Sequence, residues 1–343
     1  MMRYFGWSYA VTLLGLLGAF WLGWSYSGTW SGGMGFLLIG AVLAVLEISL
    51  SFDNAIVNAN KLNTMDPVWR RRFLTWGILI AVFGMRILFP LMIVVVAAGI
   101  GPIEAVRLAA TEPARYSQII HGAHLSIAAF GGAFLMMVAL SFFADAEKHV
   151  DWIGGVERQL RRMGAVKGAE ILLVLVVVGA VSLALPEAQK ATFLFAAIAG
   201  LGAYLGVALL GQVLDQPQRA GAVAQGGLGA FLYLEVLDAS FSFDGVIGAF
   251  ALTHNLFLIA IGLGIGAMYV RSMTIMLVDR GTLTEFRYLE HGAFWSVLVL
   301  SCIMFAQTLV EVPEAVTGLL GAGFIALALA SSLRYNRRLA AAG

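Results

Sequence analysis

The sequence predicts an all-α fold: a polytopic membrane helix bundle of about ten transmembrane helices, built as two inverted-topology five-helix repeats. Three observations carry that expectation. The 343 residues are 60% hydrophobic and only 12% charged, about half the charged fraction of a soluble domain. Long apolar runs recur from one end of the chain to the other. An acidic phrase inside one of those runs occurs again, far downstream, with its surroundings.

The elements follow in order. Runs of about 18 or more mostly apolar residues are long enough to cross a bilayer. They lie at 5–25, 34–58, 73–99, 119–143, 169–186, 191–213, 228–251, 255–278, 291–310 and 314–333. Only Arg3 precedes the first run as a base, with no small-x-small cleavage site, so a retained signal-anchor helix is expected. Pro90 is expected to kink the third helix, and the 40 glycines to serve close helix packing.

Lysine and arginine set the orientation. Alternation of ten helices places Arg3, Lys61, Arg70, Arg71, Arg72, Lys148, Arg158, Arg161, Arg162, Lys167, Arg219, Arg280, Arg287, Arg334, Arg337 and Arg338 on one side. The other side receives only Arg107, Arg115 and Lys190. Ten spans in a cell inner (plasma) membrane, with both termini cytoplasmic, satisfy this asymmetry. In the polar segment 145–168, Ile153, Val156, Leu160 and Met163 repeat at helical spacing opposite Glu157, Arg158, Arg161 and Arg162. That pattern predicts an amphipathic helix on the inner membrane face.

The repeated phrase reads Glu47-Ile-Ser-Leu-Ser-Phe-Asp53-Asn54 and then Asp238-Ala-Ser-Phe-Ser-Phe-Asp244-Gly245. Gly77 precedes Arg86 by nine residues, as Gly262 precedes Arg271, each in the run after an acidic one. His121-Gly-Ala and His291-Gly-Ala open the following runs. Five helices per copy is odd, so the copies enter the membrane from opposite sides. Inverted repeats of this kind in secondary transporters place substrate near the midplane. The expected domains are 1–144 with 169–186 as the first repeat, 145–168 as the amphipathic helix, 191–333 as the second repeat and 334–343 as a basic cytoplasmic tail.

Each carboxylate at membrane depth costs roughly 2.5–3.5 kcal/mol on insertion scales, so a repeated acid pair points to an ion site. Six residues of regular helix turn through about 600°, which separates the first and last acid of each phrase. Two discontinuous helices are therefore expected, with Ser49, Ser51, Ser240 and Ser242 satisfying freed backbone groups. The candidate metal ligands are Glu47, Asp53, Asn54, Asp238 and Asp244. Ser51, Ser242 and Glu235, one turn before Asp238, are accessory or proton-holding candidates. Arg86 and Arg271 are candidate charge compensators. An all-oxygen set suits Mn²⁺, Ca²⁺ or Mg²⁺, whereas Zn²⁺ or Cu⁺ would recruit His, Cys or Met, none of which flanks the acids closely. His121, His124 and His291 are expected to be structural hydrogen-bonders.

With Glu-x5-Asp-Asn, Asp-x5-Asp, the internal arginines and the helix start Phe286-Arg-Tyr-Leu289 in view, the chain resembles the TerC family of integral membrane proteins, within the lysine-exporter-like superfamily, as a less-characterised domain-of-unknown-function branch. The resemblance covers most of 34–310. It implies metal homeostasis, Mn²⁺ efflux or tellurite resistance, and Glu47, Asp53, Asp238 and Asp244 as the cation-binding acids. The second phrase departs from the family, which continues Asp-Ser-Ile-Pro-Ala where this chain reads Asp244-Gly-Val-Ile-Gly.

The functional expectation is a divalent cation transporter, Mn²⁺ favoured and export the expected direction, with proton-coupled antiport left open. The expected partners are the lipid bilayer and the metal ion, with homo-oligomers and a protein partner at 145–168 left open. Export of an amino acid or other organic cation, and a role in assembly or metalation of secreted proteins, are the alternatives. A net charge of +1 argues against nucleic acid as a partner. Cys302 stands alone, so neither a disulfide nor a Cys/His metal motif is expected. No enzyme is expected, since the chain lacks the Gly-x-Gly-Asp phrase of an intramembrane aspartyl protease.

Overall fold

Every regular element among the described residues is helical, as the composition requires. The computed structural model describes residues 2–77, 80–146, 148–214, 227–310 and 312–342. The order begins α1 (Met2–Ser27), α2 (Trp30–Leu50), α3 (Phe52–Asn63) and α4 (Pro67–Arg72). Two π-helical segments follow, Phe73–Gly77 and Ile80–Leu88, and then α5 (Phe89–Ala98), α6 (Pro102–Thr111), α7 (Pro113–Gly122) and α8 (His124–Ala144). Next come α9 (Gly154–Gly164), α10 (Ala169–Ala184), α11 (Glu187–Leu214), α12 (Leu228–Leu252) and α13 (Leu256–Asp279). The chain closes with α14 (Thr282–Glu285), α15 (Leu289–Gln307) and α16 (Glu314–Ala342).

Seven of these helices (α1, α2, α8, α11, α13, α15 and α16) are long and apolar enough to cross a membrane, and two bent pairs raise the number to nine. The chain is thus a multi-pass membrane protein with seven to nine such spans among the described residues, against the ten expected. The missing run is α12. It has 25 residues, but every stretch of it long enough to span contains Glu235, Asp238 and Asp244.

Local chemistry explains where the helices stop. Gly28, at φ +64°, makes the left-handed turn between α1 and α2, and the Thr29 hydroxyl accepts the Gly32 N–H at 3.1 Å as the N-cap of α2. The expected single helix at 73–99 is instead two segments of wide π-helical turns, Phe73–Gly77 and Ile80–Leu88, followed by α5. Pro90 has no N–H to give the Arg86 carbonyl and its ring crowds that carbonyl. The π turns end at Leu88, and regular helix resumes with Pro90 in its first turn. The expected kink is therefore a change of helix type. Gly99, at φ +65°, ends α5, and the segment Arg86–Ala98 meets α6 at 104°. The basic residues of 334–338 do not form a separate tail, because α16 continues through them.

Two compact units emerge. The first comprises Met1–Phe52, Pro67–His124 and Glu235–Met276, and the second Asp53–Asp66, Leu125–Leu234 and Leu277–Gly343. Each takes segments from both expected repeats. In the first unit, Val94 of α5, Leu108 of α6 and Tyr116 and Ile120 of α7 pack with Leu43, Phe250 and Leu263. Glycines let its helices approach: a Cβ at Gly262 would lie 2.5 Å from the Leu43 Cβ and 3.1 Å from the Gly40 carbonyl. The core of the second unit joins α8, α10, α11 and α15 through Met136, Met137, Leu140, Val174, Phe193 and Phe305.

Candidate functional site

The first unit holds Glu47, Arg86, Glu235, Asp238 and Arg271. Glu47 is buried on α2 and forms an ion pair with buried Arg86, whose Nη2 donates to the Glu47 Oε1. Glycine makes the room. A Cβ at Gly266 of α13 would stand 2.3 Å from the Glu47 Cγ, and one at Gly245 of α12 would stand 3.2 Å from its Oε2. Arg86 also donates from Nε to the Leu263 carbonyl of α13 at 3.0 Å. In the reverse direction, Arg271 of α13 donates from Nε and Nη2 to the Leu74 carbonyl at 2.8 and 2.5 Å. The two arginines that match in sequence thus cross-link α13 and the π-helical region reciprocally. Among the described residues Arg86 is paired with an acid, while Arg271 bonds to backbone.

Glu235 differs from Glu47. It is buried, and neither carboxylate oxygen has a hydrogen-bond partner among the described residues. Gly77 again supplies the space, since a Cβ there would lie 2.8 Å from the Glu235 Oε1. The Ser242 hydroxyl is likewise buried and without a partner among the described residues. Glu235, partly buried Asp238 and Ser242 stand at i, i+3 and i+7 of one continuous helix, so they share a face.

The second phrase does not break, contrary to the expectation of two discontinuous helices. Asp238 and Asp244 lie about 120° apart around α12. The side chain of Asp244, like Arg219, falls outside the described residues. Ser240 bonds back to the Val236 carbonyl at 3.0 Å within its helix, as Ser49 does to Val45 at 2.7 Å. The first phrase does break. Ser51 leaves helical geometry at φ −102°, ψ 19°, while its N–H still reaches the Glu47 carbonyl at 3.0 Å.

Asp53 and Asn54 belong to the second unit. Asp53 is buried; its Oδ1 accepts the Asn54 N–H at 2.9 Å and its Oδ2 accepts the Ser296 hydroxyl at 2.8 Å. Gly321 flanks that pair, a Cβ there falling 2.7 Å from the Ser296 Oγ. The sequence held no signal for Ser296 or Gly321, which lie in ordinary apolar runs. Among the described residues, no three of His, Cys, Asp and Glu gather closely enough to hold a metal ion.

A second polar centre was missed. Glu157, expected on the outer polar face of the amphipathic helix, is wholly buried. Its Oε2 accepts from Lys148 Nζ at 2.9 Å, His291 Nδ1 at 2.8 Å and the Trp152 N–H at 3.2 Å. Its Oε1 accepts from Trp295 Nε1 at 2.9 Å and the Ile153 N–H at 3.1 Å. Burial alone would raise the pKa of this carboxyl, but the bonds from His291, Lys148 and Trp295 outweigh it and hold the group well below the usual carboxylate range. The available signal was a lone acid in a helix otherwise rich in arginine.

A family model described as "Protein of unknown function (DUF475)" matches residues 52–339. The chain belongs to this family. The DUF475 match starts at Phe52, so α1, α2 and Glu47 precede it, while Asp53, Arg86, Glu157, Glu235, Asp238, Arg271 and His291 lie within it. No curated protein and no solved structure matches the chain.

Proposed function

We propose that this DUF475 protein is a divalent cation transporter of TerC-like mechanism, exporting Mn²⁺ through its intramembrane carboxylates. One observation carries the reading: the face of α12 that presents Glu235, Asp238 and Ser242 keeps three buried oxygens, both of Glu235 and that of Ser242, without a hydrogen-bond partner among the described residues. A buried carboxylate without a partner is costly, and a passing hard cation with oxygen ligands offsets that cost. Glu47, engaged by Arg86, supplies a carboxylate whose present counter-charge is a side chain that can be exchanged for a cation. The reciprocal Arg86–Leu263 and Arg271–Leu74 bonds are what an inverted repeat would produce, and they support that organisation. Protons competing for the same acids would couple export to proton entry.

The test is Mn²⁺ flux into proteoliposomes. Wild type is expected to carry Mn²⁺, and Glu235→Gln and Asp238→Asn to lower the rate at least about tenfold, the loss of one favourable contact of roughly 1.4 kcal/mol. Both variants should elute from a sizing column as wild type does. Unchanged flux in both variants overturns the proposal.

A further inference from the structure

We propose that α9 is an interfacial helix that binds anionic phospholipid headgroups. The inference stands apart from the transport reading and uses only the second compact unit. α9 contains one acid, Glu157, and the fold removes it from the surface into the cage of Lys148, His291 and Trp295. Arg161 is also engaged, with Asp151 at 2.9 Å and the Lys148 carbonyl at 2.7 Å. α9 and its exit expose the bases Arg158, Arg162 and Lys167, and they also expose Val156 on the other side of the helix, 49% exposed, and Val166 at the exit, 64% exposed.

The setting decides the occupant. α9 meets the apolar helix α10 at 110°, so it lies across the end of a helix that passes into hydrocarbon. Trp152 Nε1 donates to the Ser331 hydroxyl of α16 at 3.1 Å. That bond fixes the start of α9 one turn before Arg334, and Arg334, Arg337 and Arg338 are exposed on the same helix. A helix with guanidinium groups on one side and an exposed valine on the other is poorly placed in water alone or in hydrocarbon alone. At the headgroup boundary the valines enter the acyl region and the bases meet phosphate. A phospholipid satisfies both sides of the helix, its phosphate meeting the bases and its acyl chains the valines, whereas free phosphate leaves the apolar side in water.

Native mass spectrometry of the full protein, titrated with phosphatidylglycerol and with phosphatidylcholine, tests this. Wild type is expected to retain phosphatidylglycerol at least about tenfold better, in keeping with several bases at an anionic surface. The triple variant Arg158→Gln/Arg162→Gln/Lys167→Gln should bind the two lipids alike. Arg107→Gln/Arg115→Gln, which removes exposed bases of the other unit, should keep the wild-type preference. Inorganic phosphate should not compete; full competition would make this a free-anion site and overturn the lipid assignment. Amide exchange of wild type over 153–166 gives a second measurement that needs no variant. It should be slower in phosphatidylglycerol nanodiscs than in phosphatidylcholine ones, and equal exchange, or a triple variant that keeps the preference, overturns the proposal.

Discussion

Glu47 and Arg86 form a buried ion pair whose worth depends on both partners being present. Removing one leaves the other charged in an apolar setting and costs about 3–5 kcal/mol, whereas removing both costs much less. Glu47→Gln and Arg86→Gln should therefore each lower the thermal midpoint markedly, and the double variant should recover most of the loss. Additive losses in a double-mutant cycle would show that the pair is not coupled. Glu157 gives a pH prediction. Its carboxyl is held below its ordinary range, so its contribution is complete above about pH 5 and fades as pH falls through the folded value. The stability gap between wild type and Glu157→Gln should be flat from about pH 5 to 8 and narrow in stronger acid. A gap that widened in acid would reverse the sign and refute the assignment. Glu235 was legible as an acid one turn from Asp238; its lack of partners was not, because that depends on which neighbour is glycine.

At the scale of elements, the decisive contact is α2 against α13. Gly266 is required because Glu47 occupies the space where its Cβ would go, 2.3 Å from the Glu47 Cγ. Gly266→Ala should cost about 1–3 kcal/mol as an overpacking change and should disturb the Glu47–Arg86 pair with it. Gly323→Ala, on α16 with open space around the position, is the control, and differential scanning fluorimetry separates the two. Equal midpoints would mean that α2 and α13 do not approach so closely. Helix existence was readable from apolar runs, but helix type was not. A Pro90 in an apolar run signals disruption; whether the chain kinks or widens into π turns depends on what receives the freed carbonyls. The α12 segment shows the opposite case: without proline after Asp244 the helix continues, and Gly245 lies close against Glu47.

At the scale of the whole molecule, we propose that the acid-bearing α12 crosses as well, which with seven helices and two bent pairs gives an even number of crossings. Reporter fusions at residue 2 and after residue 342 should thus report the same side, and that side should be the one holding Arg158 and Arg162. Opposite sides would require an odd count and would undo the inverted repeat. The sequence by itself determined an all-helical membrane protein and the positions of its apolar runs and of the acids within them, because hydropathy and charge act locally and are written residue by residue. Tertiary structure alone decided which acid is neutralised, which stands unpartnered and which, like Glu157, turns inward. Those outcomes depend on donors from distant segments, such as Arg86 for Glu47, Ser296 for Asp53 and His291 for Glu157. Whether a donor reaches an acid is set by how closely two helices approach, and no spacing along the chain encodes that distance.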